Sequence, residues 1–369
     1  MSNIIPVSLK KDSYIIYAGL PYTELVNFVS QKTKGVLVVT DKNVKSLYYA
    51  KLEKAFIDAG CNVDVYVLEP GEMSKNLDVV NSIYTKCFEL YSDRTFYIIA
   101  LGGGVTGDIA GFAAATYLRG VPFIQVPTTL LAQVDASIGG KTGVNMPYGK
   151  NLIGSFYQPK AVWIDPGFLN TLDEKEYISG LAEVVKYAVI KDKSLFKYIL
   201  DNSDALLKKE FNHVFYIIKK CAKIKAQIVE KDEKEKGLRR ILNFGHTLGH
   251  ALETSGEYKG LTHGEGVAVG MVFAAYLGYK LGKCRRIVEQ NIEFVLKKLG
   301  FYIIDYYKND YFHNNEDTLN RVIEIIRYDK KMEQDKINFI VPKKIGSAIA
   351  VKLDLSLIKK YLKDWGNNL

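Results

Sequence analysis

The stretch FYIIALGGGVTGDIAGFAAATY, Phe96 to Tyr117, constrains this chain more than any other. An apolar run enters three consecutive glycines, Gly102, Gly103 and Gly104, and Gly107 and Gly111 follow at helical spacing. That order reads as buried strand, tight turn and helix. Glycine costs backbone entropy in regular structure, so the cluster needs a reason. Bare backbone there cradles a phosphate, packs the helix hard against a sheet, or turns a corner. Gly102, Gly104 and Gly107 satisfy G-x-G-x-x-G between a strand and a helix, where free N–H groups and a helix N-terminus face a pyrophosphate. A side chain at Gly104 would block that approach and resist positive φ. The usual companion acid is absent, because the next strand, VPFIQVPTT, ends in Thr128 and Thr129. The acid placed to hold an adenosine ribose is Asp41, at the end of the earlier VLVVTD, which requires a variant sheet order.

Around this motif, continuous apolar runs alternate with helical segments: GVLVVTD, NVDVYVLE, FYIIALGGG, VPFIQVPTT and VWIDPGFL. Such runs predict a mostly parallel sheet with helices on both faces. After Thr171 helical periodicity dominates, and no comparable strand appears before INFIVPKK. Two domains are therefore expected: an α/β nucleotide-binding domain over residues 1–170 and a mainly helical metal- and substrate-binding domain over 171–369, with a cleft between them. A length of 369 residues supports a core in each.

Several function classes fall away. The net charge of +9 is spread over 50 basic and 41 acidic residues without a long block of one sign, and no nucleic-acid-binding module is present. A small polyanion, by contrast, needs only a few placed Lys and Arg side chains. SIGGKTG imitates a phosphate-binding P-loop, but Asp135 stands where that loop needs glycine, which leaves Lys141 as an anion contact in a flexible loop. The four cysteines have no C-x-x-C spacing and read as reduced core thiols of a cytoplasmic protein. No signal peptide is expected, and the longest weakly polar stretch, Gly266 to Tyr279, is too short to span a bilayer.

Metal chemistry is suggested by three further elements. His246 and His250 stand one helical turn apart in LNFGHTLGHALE, and His263 opens HGEGVAVGM. The very apolar GLAEVVKYAVI carries Glu183 and Lys186 on one face, and buried charges need partners. An internal ion pair with histidines capping backbone groups would satisfy each residue singly. Together, a glutamate and histidines with open positions suit a catalytic zinc. Spacing alone favours His246 and His250 as the ligand pair, but the glutamate of H-E-x-x-H is missing, so a zincin protease is not expected.

From VLVVTD to YDKKM the chain resembles the 3-dehydroquinate synthase family of sugar-phosphate cyclases. The resemblance rests on GGGVTGDIAGFAAATYLRG, VPTTLLAQVDASIGGKTGVN, GKNLIGSFYQP, GLAEVVKY, DEKEKGLRRILNFGHTLGHALE and HGEGVAVGM. It implies a homodimeric lyase that uses NAD and a zinc ion, with cobalt as an alternative, on a small anionic sugar phosphate. It moves the metal ligands to Glu183, His246 and His263 and makes His250 a substrate contact. Gly103, Gly104, Val105 and Asp108 would meet the pyrophosphate, with Asp41, Glu72, Lys75, Thr128 and Thr129 on the rest of the dinucleotide. Asp135, Lys141, Asn151, Lys186, Lys225, Arg239, Asn243 and His250 would line the substrate pocket. Lys141, Asn151 and a YDKKM lysine (Lys330 or Lys331) would take the phosphate, and Arg239 with Lys225 the carboxylate. Arg119 would reach an anion across the dimer interface. Another sugar-phosphate cyclase, a metal-dependent NAD polyol dehydrogenase and a non-enzymatic anion-binding scaffold are the competing readings.

Overall fold

The computed structural model describes residues 3–90, 94–146, 149–255, 261–303, 316–328, 332–333 and 336–367. They form two units, Met1–Leu172 with Cys221–Lys234, and Asp173–Lys220 with Glu235–Leu369.

The first unit is built on a seven-stranded sheet of β1 (Ile4–Val7), β2 (Tyr14–Ala18), β3 (Gly35–Asp41), β4 (Asn62–Leu68), β5 (Tyr97–Gly102), β6 (Phe123–Pro127) and β9 (Ala161–Ile164). Its order is β1-β2-β9-β6-β5-β3-β4. Every pairing is parallel except that of the edge strand β1. Alternate residues of one strand enter different cores: Val36 and Val38 pack with Ile99 and Leu101, while Leu37 and Val39 pack with Ile98 and Ala100. Both faces are covered, so the central strands are apolar at every position. The chain leaves β3 outward to β4 and leaves β5 the other way to β6. Ligands of open α/β sheets bind at the carboxyl ends of strands where the winding reverses. Here those ends carry Asp41 and the glycine turn, which is the variant order that the position of Asp41 requires.

Helix α1 (Gly104–Thr116) starts directly after β5. None of Gly102, Gly103 and Gly104 takes a positive φ, contrary to expectation, and Gly103 is extended at φ −75°. Space explains the other glycines. A Cβ on Gly107 would lie 2.6 Å from Gln125 Oε1, and one on Gly111 would lie 2.4 Å from Thr142 Cγ2. Residue 141 is not in a loop. Lys141 begins β7 (Lys141–Met146), which pairs antiparallel with β8 (Gly149–Phe156). Glycines at 143 and 154 hide this hairpin from a propensity reading, yet a Cβ on either would strike the opposite backbone at 2.5 and 2.3 Å.

The second unit contains α2 (Glu174–Lys191), α4 (His246–Ser255) and α5 (His263–Lys280), and a small antiparallel sheet of β10 (Met332–Glu333), β11 (Lys336–Lys344) and β12 (Ser347–Asp354). The expected INFIVPKK strand is β11. Its partner β12 escapes sequence reading because most of its residues are half-exposed or exposed. Helix α5 is buried from Gly266 to Gly278 on every side, so it lacks the polar face of a surface helix.

A single cut near residue 170 does not describe this division. Helix α3 (Phe211–Lys231) is continuous, yet its residues to Lys220 group with the second unit and those from Cys221 with the first. Polar contacts fix the latter part. Lys225 Nζ donates to the Asp135 carbonyl at 2.6 Å, Glu230 accepts from the Ser8 N–H at 2.7 Å, and Glu233 accepts from Gln158 at 2.9 Å.

Candidate active site

Three helices of the second unit bring one carboxylate and two imidazoles together. Close approach is possible because the contacts are made by glycine. A Cβ on Gly264 of α5 would lie 2.1 Å from the Ser179 carbonyl of α2, and one on Gly249 of α4 would lie 2.8 Å from the Gly266 carbonyl of α5. The start of α5 is set by a capping box, in which Thr262 Oγ1 accepts from the Glu265 N–H at 3.3 Å and Glu265 Oε2 accepts from the Thr262 N–H at 2.6 Å. The T-x-x-E spacing was legible in the sequence.

Glu183 is fully buried, and its Oε1 lies 3.3 Å from His246 Nε2 and 3.4 Å from His263 Nε2. Two ligands of a tetrahedral zinc, each about 2.0–2.1 Å from it, stand about 3.3–3.4 Å apart. The three donor atoms all lie within 4.8 Å of one another. Both Glu183 oxygens are buried without an aligned hydrogen bond, although Lys186 Nζ ion-pairs with Oε2. A divalent cation would complete such a carboxylate, so the residues fit a metal.

The imidazole orientations point the same way. His246 Nδ1 donates to the Phe244 carbonyl at 3.1 Å, and His263 Nδ1 donates to Glu253 Oε1 at 2.9 Å. Carbonyl and carboxylate can only accept, so both Nε2 atoms turn toward Glu183. Glu253, buried in α4, was missed in the sequence, where its signal is an acid within the apolar LGHALE. His250, His263 and Glu253 form a second cluster of the right size. We favour the first, because the Nδ1–Glu253 bond leaves His263 Nε2 for Glu183. The His250 ring stands 5.1 Å from that of His246 and 5.8 Å from that of His263.

Burial pushes the His263 imidazolium down, but the Glu253 and Glu183 carboxylates outweigh it and hold the group up to about 10. A metal must displace this proton. Metal uptake at neutral pH is therefore expected to release at least one proton, and affinity should rise about tenfold per pH unit toward pH 10. Calorimetry of zinc binding in buffers of different ionisation enthalpy measures this. Uptake without proton release would mean that Nε2 of His263 is not a ligand.

Elsewhere in this unit Lys186 and Arg239 are each 1% exposed. Arg239 lies on the short turn Leu238–Asn243 before α4, and Asn243 Nδ2 donates to Glu235 at 2.6 Å. Lys330 and Lys331 lie outside the described residues.

The first unit gathers the remaining residues. The N-terminus of α1 has no side-chain cap, so its first N–H groups are left for another acceptor. Thr129 packs against Gly103, and the Thr128 N–H donates to the Gly102 carbonyl at 3.0 Å. Lys75, which is buried, meets Asp108 of α1 at 2.5 Å. Burial raises the Asp108 carboxyl, against the pull of Lys75. Asp41 Oδ1 accepts from the Asn43 and Val44 N–H groups at 2.9 and 3.0 Å. Asp135 is paired with Lys225. Lys141 and Asn151 are exposed on the hairpin. Arg119 is exposed in a run of positive φ, with Leu118 at 48°, Arg119 at 63° and Gly120 at 122°. Among the described residues no helix is long and apolar enough to cross a membrane.

A doubly wound sheet with a bare-backbone turn, and helices that hold a Glu–His–His cluster, give this chain the fold of the sugar-phosphate cyclase class of enzymes. Two solved structures share the fold with a TM-score of 0.87 and 25% identity, each over 98% of this chain and 99% of theirs. One is 2-deoxy-scyllo-inosose synthase complexed with carbaglucose-6-phosphate, NAD+ and Co2+; the other is 2-epi-5-epi-valiolone synthase from Streptomyces hygroscopicus with NAD+ and Zn2+ bound. Within that class the chain belongs to the 3-dehydroquinate synthase family. Residues 65–179 match the family's N-terminal model and residues 180–332 its C-terminal model. The 3-dehydroquinate synthase of Thermoanaerobacter pseudethanolicus is 42% identical over 98% of this chain and all of its own length.

Proposed function

We propose that this chain converts 3-deoxy-D-arabino-heptulosonate 7-phosphate to 3-dehydroquinate and phosphate, as a carbon–oxygen lyase that uses NAD and a divalent metal, zinc or cobalt. The observation that carries the reading is the convergence of Glu183, His246 and His263, at separations that suit tetrahedral coordination. When bound, NAD would supply a hydride acceptor and, in its reduced form, a hydride donor, and the metal would supply a Lewis acid for substrate oxygens.

The chain's own residues do the rest. Glu183, His246 and His263 hold the metal, and Glu253 keeps His263 turned toward it. The N–H groups of Gly103, Gly104 and Val105 hold the pyrophosphate, while Asp41, Glu72, Lys75, Asp108, Thr128 and Thr129 hold the rest of the dinucleotide. Lys141 and Asn151 take the substrate phosphate. Arg239 takes the carboxylate, and His250, outside the metal triad, meets a substrate hydroxyl. Lys186, beside Glu183, supplies a buried positive charge near the developing oxyanion. The departing phosphate removes the proton from the neighbouring carbon as the C–O electron pair leaves with it, so no separate base is required. We also propose a cytoplasmic homodimer, in which the left-handed turn at Arg119 presents the guanidinium to an anion on the partner subunit.

Incubating the metal-loaded protein with the sugar phosphate and NAD should release phosphate with no net rise in NADH absorbance. Accumulating NADH without phosphate would instead make the chain a polyol dehydrogenase.

Arg239→Lys is expected to lower kcat/KM by roughly ten- to a hundredfold, mostly through KM. A guanidinium binds a carboxylate through two parallel hydrogen bonds and an ammonium cannot, a difference of about 1.5–3 kcal/mol. Metal content and NAD affinity should not move. Wild-type kinetics in this variant would place the carboxylate site elsewhere.

A further inference from the structure

The β7–β8 hairpin changes register at one place. Val144 pairs with Ile153 and Met146 with Gly149, so the single residue Asn145 faces Lys150, Asn151 and Leu152. Residues in excess on one strand bulge out, and their N–H groups leave the ladder. Asn151 takes φ 53°, a region that few side chains adopt. Asn145 Oδ1 accepts the displaced Asn151 N–H at 2.9 Å. Nδ2 of the same amide donates to Glu72 Oε1 at 2.7 Å, and the Asn145 N–H donates to the Lys75 carbonyl at 2.8 Å. Lys75 in turn grips Asp108 on the glycine-led helix. The orientation of the amide is forced, because a backbone N–H must donate and a carboxylate must accept. An asparagine amide offers an acceptor oxygen and a donor nitrogen on one head, which is what these two partners require.

We propose that Asn145 is a positioning residue that couples phosphate binding at the Asn151 bulge to dinucleotide binding at the Glu72–Lys75 turn, so that each ligand tightens the other. The inference rests on the ligand assignments made above and extends them to a residue assigned to neither ligand. Coupling of this kind is reciprocal.

The test is calorimetry of NAD binding to the zinc-loaded protein, with and without saturating inorganic phosphate. Phosphate should tighten NAD about fivefold or more in the wild type, the lower range of typical site–site coupling. In Asn145→Ala that factor should fall to about one. Asn145→Asp keeps the acceptor for Asn151 but sets a carboxylate against Glu72, so NAD should weaken while phosphate binding alone persists. The double variant Glu72→Gln/Asn145→Asp reverses donor and acceptor and should regain coupling relative to Asn145→Asp, which lost packing could not explain. Melting curves identify any variant that fails to fold, and the near-isosteric Asn145→Asp keeps the test decisive. Coupling unchanged in Asn145→Ala, or no gain in the double variant, overturns the inference alone. A wild type that binds neither NAD nor phosphate overturns the ligand assignments, and the inference with them.

Discussion

Glu183→Ala should yield protein without bound metal and with kcat/KM reduced about a thousandfold or more. A Lewis acid at the reacting oxygens is worth several kcal/mol, and each 1.36 kcal/mol is a factor of ten. Of the three proposed ligands, Glu183 has the least freedom to be replaced. It is fully buried, its Oε1 faces both Nε2 atoms, and its Oε2 faces Lys186. Removing it leaves the buried Lys186 without the carboxylate opposite, which adds a folding cost of about 3–5 kcal/mol. Glu183→Gln also removes the anionic ligand, but it keeps the volume and a neutral oxygen that can accept from Lys186, so metal should be lost at a smaller folding cost. A graded series then tests the geometry. Glu253→Gln should bind metal roughly 10- to 100-fold more weakly, because it only orients His263. His250→Ala should keep the metal and lose activity. Metal analysis beside kinetics checks each variant, and an apo His250→Ala together with a loaded His263→Ala would reverse the ligand assignment.

Gly264→Ala should cost about 3 kcal/mol or more in stability and most of the bound metal, although the added group is one methyl. Its Cβ would sit 2.1 Å from the Ser179 carbonyl oxygen and 2.5 Å from the Ser179 Cα, and both atoms are backbone. No rotamer change relieves that, so α5 and α2 must separate. The Gly264 N–H would also lose its 2.9 Å bond to Ser179 Oγ. Overpacking a tight interior typically costs about 1–3 kcal/mol, and contacts that cannot yield lie at or beyond the top of that range. His263 is the preceding residue on α5, and Glu183 is one turn beyond Ser179 on α2. Any separation therefore opens the His263–Glu183 distance, while metal bonds tolerate about 0.2 Å. Thermal unfolding and metal content of the purified variant decide it. A stable, fully loaded Gly264→Ala would show that the helix contact is softer than its geometry indicates.

Much of this protein is legible along the chain. The apolar runs announce buried parallel strands because both faces of the sheet are covered, and periodicity marks the helices that carry Glu183, His246 and His263. Strand, bare turn and helix around Gly103 follow from local sequence, as does the placement of Asp41 on a different strand from the usual one. Other features have no local signature. His246 and His250 look equivalent on one helix face, and only the crossing of α5 against α4 and α2 brings His263 to Glu183. That crossing is set by glycine-to-backbone contacts between segments far apart in sequence. The purpose of each glycine was also a tertiary matter: Gly107 and Gly111 make room for Gln125 and Thr142, and the 102–104 turn needs no positive φ. The hairpin bulge at Asn151, opposite Asn145, depends on a partner strand whose register no single segment encodes. Local sequence determined most of the elements and the side chains they offer, because those depend on neighbours a few residues away, while β7, β8 and β12 needed their partner strands. Only the packed structure decided which of those side chains meet, because that depends on how closely backbones distant in sequence approach.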